Sequence, residues 1–191
     1  MKNLLILVCL FVVAFTFNAK ANSNKNYQKD LTNFIDNMAI NFEKINKIED
    51  KVKWTESAYE YANKVLDINW ISNFILGKHR RTLTPAQKND FVKYYSIYLL
   101  NNYLETLSLF SKENLNIVSI KENKKDVYFV ELNIKNKDKE INADLRIVKK
   151  ENTFYITDII AENVSFINSQ RNEINSFIDS NGFDALIEKI K

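Results

Sequence analysis

Apolar residues along this chain recur first every three to four positions, then every two, then every three to four again. Leu31, Phe34, Ile35, Met38, Phe42 and Ile45 form one stripe at helical spacing and predict a first amphipathic helix. Trp54 to Phe74 reads as one or two further helical pieces, the second carrying Ile68, Ile71, Phe74 and Ile75 on its apolar face. Gly77 stops that piece, because a helix end often takes a left-handed residue and glycine does so without a steric penalty. Lys78, Arg80 and Arg81 follow, where cations complement the helix C-terminal dipole. Thr84, Pro85 and Gln87 then spell an N-cap, a first-turn proline and a capping-box partner. The basic stretch is therefore a tight turn between two helices.

The helix from Pro85 to about Phe110 is apolar around most of its circumference, from Phe91, Tyr94 and Tyr95 to Leu104 and Leu107. Such a helix is buried on several sides, so a sheet and other helices are expected to wrap it. Beyond Phe110 the period becomes two. Asn116–Lys121, Val127–Ile134, Ile141–Val148 and Phe154–Ile160 predict about four antiparallel strands joined by short polar turns. Helical spacing resumes near Ser165, stops at Asn181 and Gly182, and ends with a short turn over Asp184–Ile190. Helices, then an antiparallel meander, then a closing helix give an α+β class. No repeat or Pro/Ser-rich linker divides residues 22–191, which read as one domain.

The N-terminus addresses the compartment. Lys2 precedes an apolar run from Leu4 to Phe17, and Ala19, Lys20 and Ala21 close it with small residues two apart. This reads as a secretory signal peptide over residues 1–21, cleaved after Ala21; an uncleaved anchor is the alternative. Cys9 is a poor lipoprotein acceptor, since Val8 before it is not small. After cleavage no cysteine remains, so an exported domain must rest on its core without disulfides, which its length allows. Losing Lys2 and Lys20 takes the formal charge from +3 to +1. A nearly neutral surface argues against nucleic acid and against strong attraction to anionic membranes.

Candidate chemistry is sparse. There is one histidine, His79, and no Gly-x-Ser-x-Gly or glycine-rich phosphate loop. A histidine metal cluster is excluded, as is a Ser-His-Asp arrangement away from that turn. His79 is either a base or a solvated loop side chain. Asp158 falls in phase with Phe154, Ile156 and Ile160; it is either a general acid/base or a structural acceptor for backbone donors near Ser165 or for Arg171. Arg80 and Arg81 either grip a phosphate or form a solvated pair. The tyrosines of the long helix are core, or a ligand wall where the sheet stands off from them.

Two stretches carry a family resemblance. One is Phe74, Ile75, Leu76, Gly77, the basic turn, Thr84, Pro85, Ala86, Gln87 and Phe91. The other is Tyr155, Ile156, Thr157, Asp158 through Glu162, Asn163, Val164 and Ser165, then Arg171, and then Gly182, Phe183, Asp184, Ala185, Leu186 and Ile187. In order and spacing the chain resembles the MlaC family of periplasmic phospholipid-binding proteins, the toluene-tolerance auxiliary family. It departs from that pattern at Asn163, where glycine is usual, at His79, Arg80 and Gln170, where aromatics are usual, and at Ile174. Asn also visits the left-handed region, so the first change leaves the fold intact.

The resemblance implies a cone similar to nuclear-transport-factor-2-like folds, with an acyl-chain pocket between sheet and helices. It implies a non-enzymatic carrier of glycerophospholipid that uses no cofactor or metal. Implied partners are an inner-membrane ABC transporter with its substrate-binding ring and an outer-membrane lipoprotein complex. A binding or chaperone module for a quinone or isoprenoid is the alternative function. The expected pocket wall is Phe74, Tyr94, Tyr98, Leu99 and Tyr103 from the helices, with Val130, Leu132, Leu145, Ile147, Ile156 and Ile160 from the strands. Arg80 and Arg81 are the expected headgroup or partner-docking residues. At ~0.8 kcal/mol per methylene, two chains of about 15 methylenes would represent roughly 24 kcal/mol against water. Such a pocket has to match a bilayer rather than beat water by the full amount, or the lipid would never leave.

Overall fold

The computed structural model describes residues 19–107, 111–136 and 139–191. Most of the expected signal peptide, residues 1–18, lies outside them. Six helices run as α1 (Ala19–Asn46), α2 (Lys51–Val65), α3 (Ile68–Leu76), α4 (Pro85–Leu107), α5 (Phe166–Asn181) and α6 (Phe183–Ile190), with a 3₁₀ turn at Gly77–Arg81 between α3 and α4. Five strands, β1 (Leu115–Lys124), β2 (Val127–Asn136), β3 (Lys139–Lys150), β4 (Thr153–Ala161) and β5 (Val164–Ser165), form one open sheet. Its order is the chain order, every neighbour antiparallel. The α+β class and the meander are those the periodicity predicts; β5 adds two residues too short to leave a periodic signal.

Local chemistry sets the element ends. Asp50 accepts from Lys53 N–H at 2.9 Å to cap α2, and Asp67 accepts from Trp70 N–H at 3.2 Å to cap α3. The capping box of α4 is formed: Gln87 N–H donates to Thr84 Oγ1 at 3.2 Å, and Thr84 N–H donates to Gln87 Oε1 at 3.0 Å. The β4–β5 hairpin turns on Glu162 (φ 50°) and Asn163 (φ 63°), two left-handed residues as a type I′ turn requires.

Two apolar cores flank β4. On one side α1 lays Leu31, Ile35, Met38 and Phe42 across the inner face of the sheet, against Val130, Leu132, Leu145 and Ile147. The register holds that face together by pairing Val130 with Leu145, Leu132 with Ala143, and Ile147 with Ile156. Burying each of these large side chains stabilises by roughly 1.5–3 kcal/mol. On the other side α3, α4, α5 and α6 pack around Ile75, Leu76, Phe91, Tyr95 and Leu186. The long helix α4 serves both cores, with Leu100 on the sheet side and Phe91, Tyr95 and Leu99 on the helical side.

A β-bulge changes one expectation. Ile147 pairs with Ile156 but the adjacent Arg146 pairs with Asp158, so Thr157 is the extra residue. The side-chain alternation resets there. Asp158 and Ile160 do not share a face with Phe154 and Ile156, as strict alternation predicts; Ile159 and Ala161 take the inner side instead, opposite Leu145 and Ala143.

Candidate functional site

Where the two cores separate, a cavity of about 370 Å³ remains. Leu66 and Ile71 close it from the α2–α3 junction, and Leu99 and Leu100 from α4. The bulged end of β4 supplies Ile156, Ile159 and Ala161, and the hairpin and α5 add Val164, Phe166 and Ile167. Val164 is 60% exposed, which sets the mouth at the β4–β5 hairpin. The bulge builds this wall: without Thr157 as an extra residue, Ile159 and Ala161 would turn away from the inner side. Two other hollows differ in chemistry. A surface groove of about 510 Å³ is lined by Asn63, Asp67, Asn69, Lys93 and Lys150, with Lys150 paired to Asp67. A third, of about 390 Å³, gathers Glu131, Glu140, Asp144 and Glu162. Water fills such polar grooves without loss, whereas an apolar hollow gains by taking an apolar guest.

The cavity's polar groups cluster at the start of α5 and are engaged with one another. Asp158, only 6% exposed, accepts from the Ser165 hydroxyl at 2.7 Å and from Ile167 N–H at 3.1 Å. Ser165 in turn accepts from Asn168 N–H at 3.2 Å as the N-cap of α5. Asp158 is thus a structural acceptor that fixes the first turn of α5, the second of its two sequence readings. Tyr95 donates to Gln170 Oε1 at 3.2 Å and ties α4 to α5. Among the described lining residues Asp158 is the only charged one. No three His, Cys, Asp or Glu side chains are grouped to hold a metal ion among the described residues.

The expected wall residues are spread over several surroundings. Leu99 and Ile156 line the cavity. Val130, Leu132, Leu145 and Ile147 are fully buried under α1. Tyr94 and Tyr98 are half-buried at the helical core; burial and the Glu173 carboxylate push the Tyr98 hydroxyl above its usual range. Phe74 stands in a ladder: Arg146 lies 5.3 Å over Trp70, Trp70 stacks on Phe74 at 5.2 Å, and Arg171 lies 4.8 Å over Phe74. Ile160 is half-buried at the acidic hollow. Tyr103 belongs to α4, but its side chain lies outside the described residues. In the basic turn Arg80 and Arg81 are exposed, and Arg80 donates to Asn73 Oδ1 at 2.7 Å. His79 is half-buried rather than solvated, its Nε2 3.3 Å from Asp179, which also takes Lys78 at 2.6 Å. The hydrogen bond from Lys78 holds the Asp179 carboxyl below its ordinary range. Leu66, Ile71, Leu100, Ile159, Ala161, Val164, Phe166 and Ile167 also line the cavity, outside the wall that the resemblance implies. Their apolar character was visible; their convergence depends on the bulge and on helix packing.

The model of one protein family, described as MlaC protein, matches residues 32–191. The chain belongs to the MlaC family. No curated protein matches it in sequence. Among solved structures it is similar to the phospholipid-binding protein from Ralstonia solanacearum in complex with a phospholipid. That likeness has a TM-score of 0.56 at 16% identity and covers 88% of this chain and 93% of that one, so it speaks for the fold. The MlaC-like motifs have visible structural duties. Gly77 (φ 54°) ends α3 where a Cβ would lie 2.9 Å from Arg171 Nε and 3.0 Å from Asn175 Oδ1. Asn175 donates to Ile75 O at 2.7 Å, so α5 caps the end of α3. Asn163, in place of the usual MlaC glycine, sits at φ 63° in the hairpin turn.

Proposed function

We propose that this protein is a periplasmic phospholipid carrier. It shields acyl tail in the cavity between β4, α4 and α5 and moves lipid between the outer and inner membranes, which maintains outer-membrane asymmetry. The observation that carries this reading is the apolar hollow at the mouth of the β4–β5 hairpin in a chain of the MlaC family. Membership in that family and a fold shared with a phospholipid-bound structure support lipid as the guest.

Residues 1–21 direct export and are removed, leaving a carrier of residues 22–191. Leu99 and Ile156 touch the tail, with Leu66, Leu100, Ile159 and Phe166 of the cavity wall beside them. Arg80 and Arg81, exposed on the 3₁₀ turn, serve docking to the inner-membrane ABC transporter or the outer-membrane lipoprotein complex. Catalysis finds little footing. Asp158 already holds two donors, and His79 faces Asp179 rather than the cavity.

The test is lipid extraction from the mature protein purified from its periplasm, followed by mass analysis. Co-purifying glycerophospholipid is expected. A clean unliganded mass in every preparation, or a quinone or isoprenoid instead, overturns the reading.

A further inference from the structure

We infer that the arginine–aromatic stack on α3 is a docking surface and that it takes a carboxylate-rich segment of a protein partner; the inference rests on the docking reading above. The chain carries most of its positive charge on lysine and has only four arginines, Arg80, Arg81, Arg146 and Arg171. Three of them converge on α3 from three different elements. Arg146 of β3 lies 5.3 Å over Trp70, Arg171 of α5 lies 4.8 Å over Phe74, and Arg80 of the 3₁₀ turn donates to Asn73 Oδ1 at 2.7 Å. Arg81 follows in the same turn and is exposed. Trp70 and Phe74 stack at 5.2 Å with 17° between their planes, half-buried at the edge of the helical core.

These guanidiniums are held in place but not neutralised. Among the described residues the side chains of Arg81, Arg146 and Arg171 form no ion pair and no hydrogen bond. Asp158, which pairs with Arg146 across the β3–β4 register, gives its carboxylate to Ser165 and Ile167 instead. A guanidinium stacked on a ring keeps its plane fixed and its edge N–H donors free, so it takes a carboxylate at little cost in side-chain entropy. Lysine, a point charge on a flexible stem, lacks that fixed plane.

The geometry selects the occupant. Arg146 and Arg171 stand at the two ends of the Trp70–Phe74 row, so one small anion does not bridge them. Two acidic side chains of one polypeptide segment do. Between them lies aromatic surface, and tryptophan with arginine is the composition of protein interface hot spots. An anionic bilayer fits less well, because a chain with 27 Lys and Arg against 24 Asp and Glu gains little long-range attraction to it. Ile71, next to Trp70, lines the cavity, so a partner seated here rests on a helix that walls the lipid.

The lipid-loaded mature protein is immobilised, and binding of the detergent-solubilised inner-membrane ABC transporter complex and of the outer-membrane lipoprotein complex from the same cell is measured by biolayer interferometry. Arg146→Gln and Arg171→Gln are each expected to weaken binding of at least one complex tenfold or more, with retained lipid unchanged. Arg171 also packs against Gly77, so thermal unfolding is recorded for both variants, and Arg146→Gln decides where Arg171→Gln loosens the fold. Arg146→Lys keeps the charge and supplies an amine, which a carbodiimide is expected to join as an amide to an aspartate or glutamate of the bound complex. Glutamine variants that bind both complexes as tightly as the parent, or no amide from residue 146 to a bound complex, overturn the inference and leave the carrier reading standing. Phosphatidylglycerol vesicles that bind the parent but not the variants, while both complexes bind unchanged, assign the surface to lipid and overturn it too. A parent protein that retains lipid but binds neither complex overturns the docking reading together with this inference.

Discussion

Replacing Asp158 separates a structural carboxylate from a catalytic one. Asp158→Ala removes the acceptor of two hydrogen bonds, from Ile167 N–H and from the Ser165 hydroxyl. Hydrogen bonds to a charged group contribute about 1.5–3 kcal/mol each. Ser165 is half-buried and keeps its N-cap bond to Asn168, so its hydroxyl can turn to water. Ile167 is 2% exposed, and its N–H has no such escape. A total loss of about 3 kcal/mol follows, equivalent to a fall in Tm of about 6–12 °C for a domain of this size. Asp158→Asn keeps one neutral acceptor for Ile167 and forfeits only the charge assistance, about 1 kcal/mol or roughly 2–4 °C. Thermal unfolding followed by circular dichroism measures both, and lipid capture below each Tm is measured in parallel. The Asn variant retains capture. If Asp158→Ala melts within about 2 °C of the parent protein, the carboxylate is not what holds α5; if Asp158→Asn folds normally and captures nothing, a direct role in lipid handling replaces the structural one.

Three further outcomes are expected. Ala161→Trp places a bulky indole in a cavity of about 370 Å³ that Ala161 lines, so lipid capture falls at least tenfold with Tm nearly unchanged; undiminished capture would move the binding site elsewhere. Gly77→Ala forces a non-glycine residue to φ 54° and its methyl against Arg171, a loss of about 1–3 kcal/mol visible as a lower urea midpoint, and an unchanged midpoint would show that the turn relaxes freely. Asp179 titrates below its ordinary 3.8 because of Lys78 and His79; a lowered carboxyl favours the folded state above pH 3.8, and that contribution is lost as pH falls through the lowered value. Lys78→Ala raises the Asp179 midpoint toward 3.8 in a carboxyl NMR titration, and a midpoint that stays put would remove Lys78 as the cause.

Much of the fold was legible because its local signals agree with its packing. In the stripe from Leu31 to Ile45 every residue but the half-buried Phe34 is buried. Thr84, Pro85 and Gln87 start α4 where their chemistry requires, and the four longer strands lie where the alternating runs fall, with β4 changing phase at its bulge. The cavity was less legible, for three physical reasons. Alternation says which side chains share a face but not which helix covers it, so Val130 and Leu145 under α1 look the same in sequence as wall residues near a cavity. A bulge inserts one residue and leaves no mark in composition, so Asp158 and Ile160 exchange sides with Ile159 and Ala161. The hollow is also a place where apolar side chains fail to meet, set by how far α5 is held from α4, and no spacing encodes that distance. The duty of the Gly77 motif emerged only in three dimensions, where α5 supplies Arg171 and Asn175 to the end of α3.

Photo-cross-linking tests the central claim most directly. A phospholipid carrying a diazirine near the end of one tail is bound, irradiated and mapped by peptide mass spectrometry. Attachment to Leu99 or Leu100, to residues 156–161 of β4, or to Phe166 and Ile167 is predicted. Attachment confined to the groove of Lys93 and Lys150, or to the exposed side of α1, would contradict a tail enclosed between β4, α4 and α5.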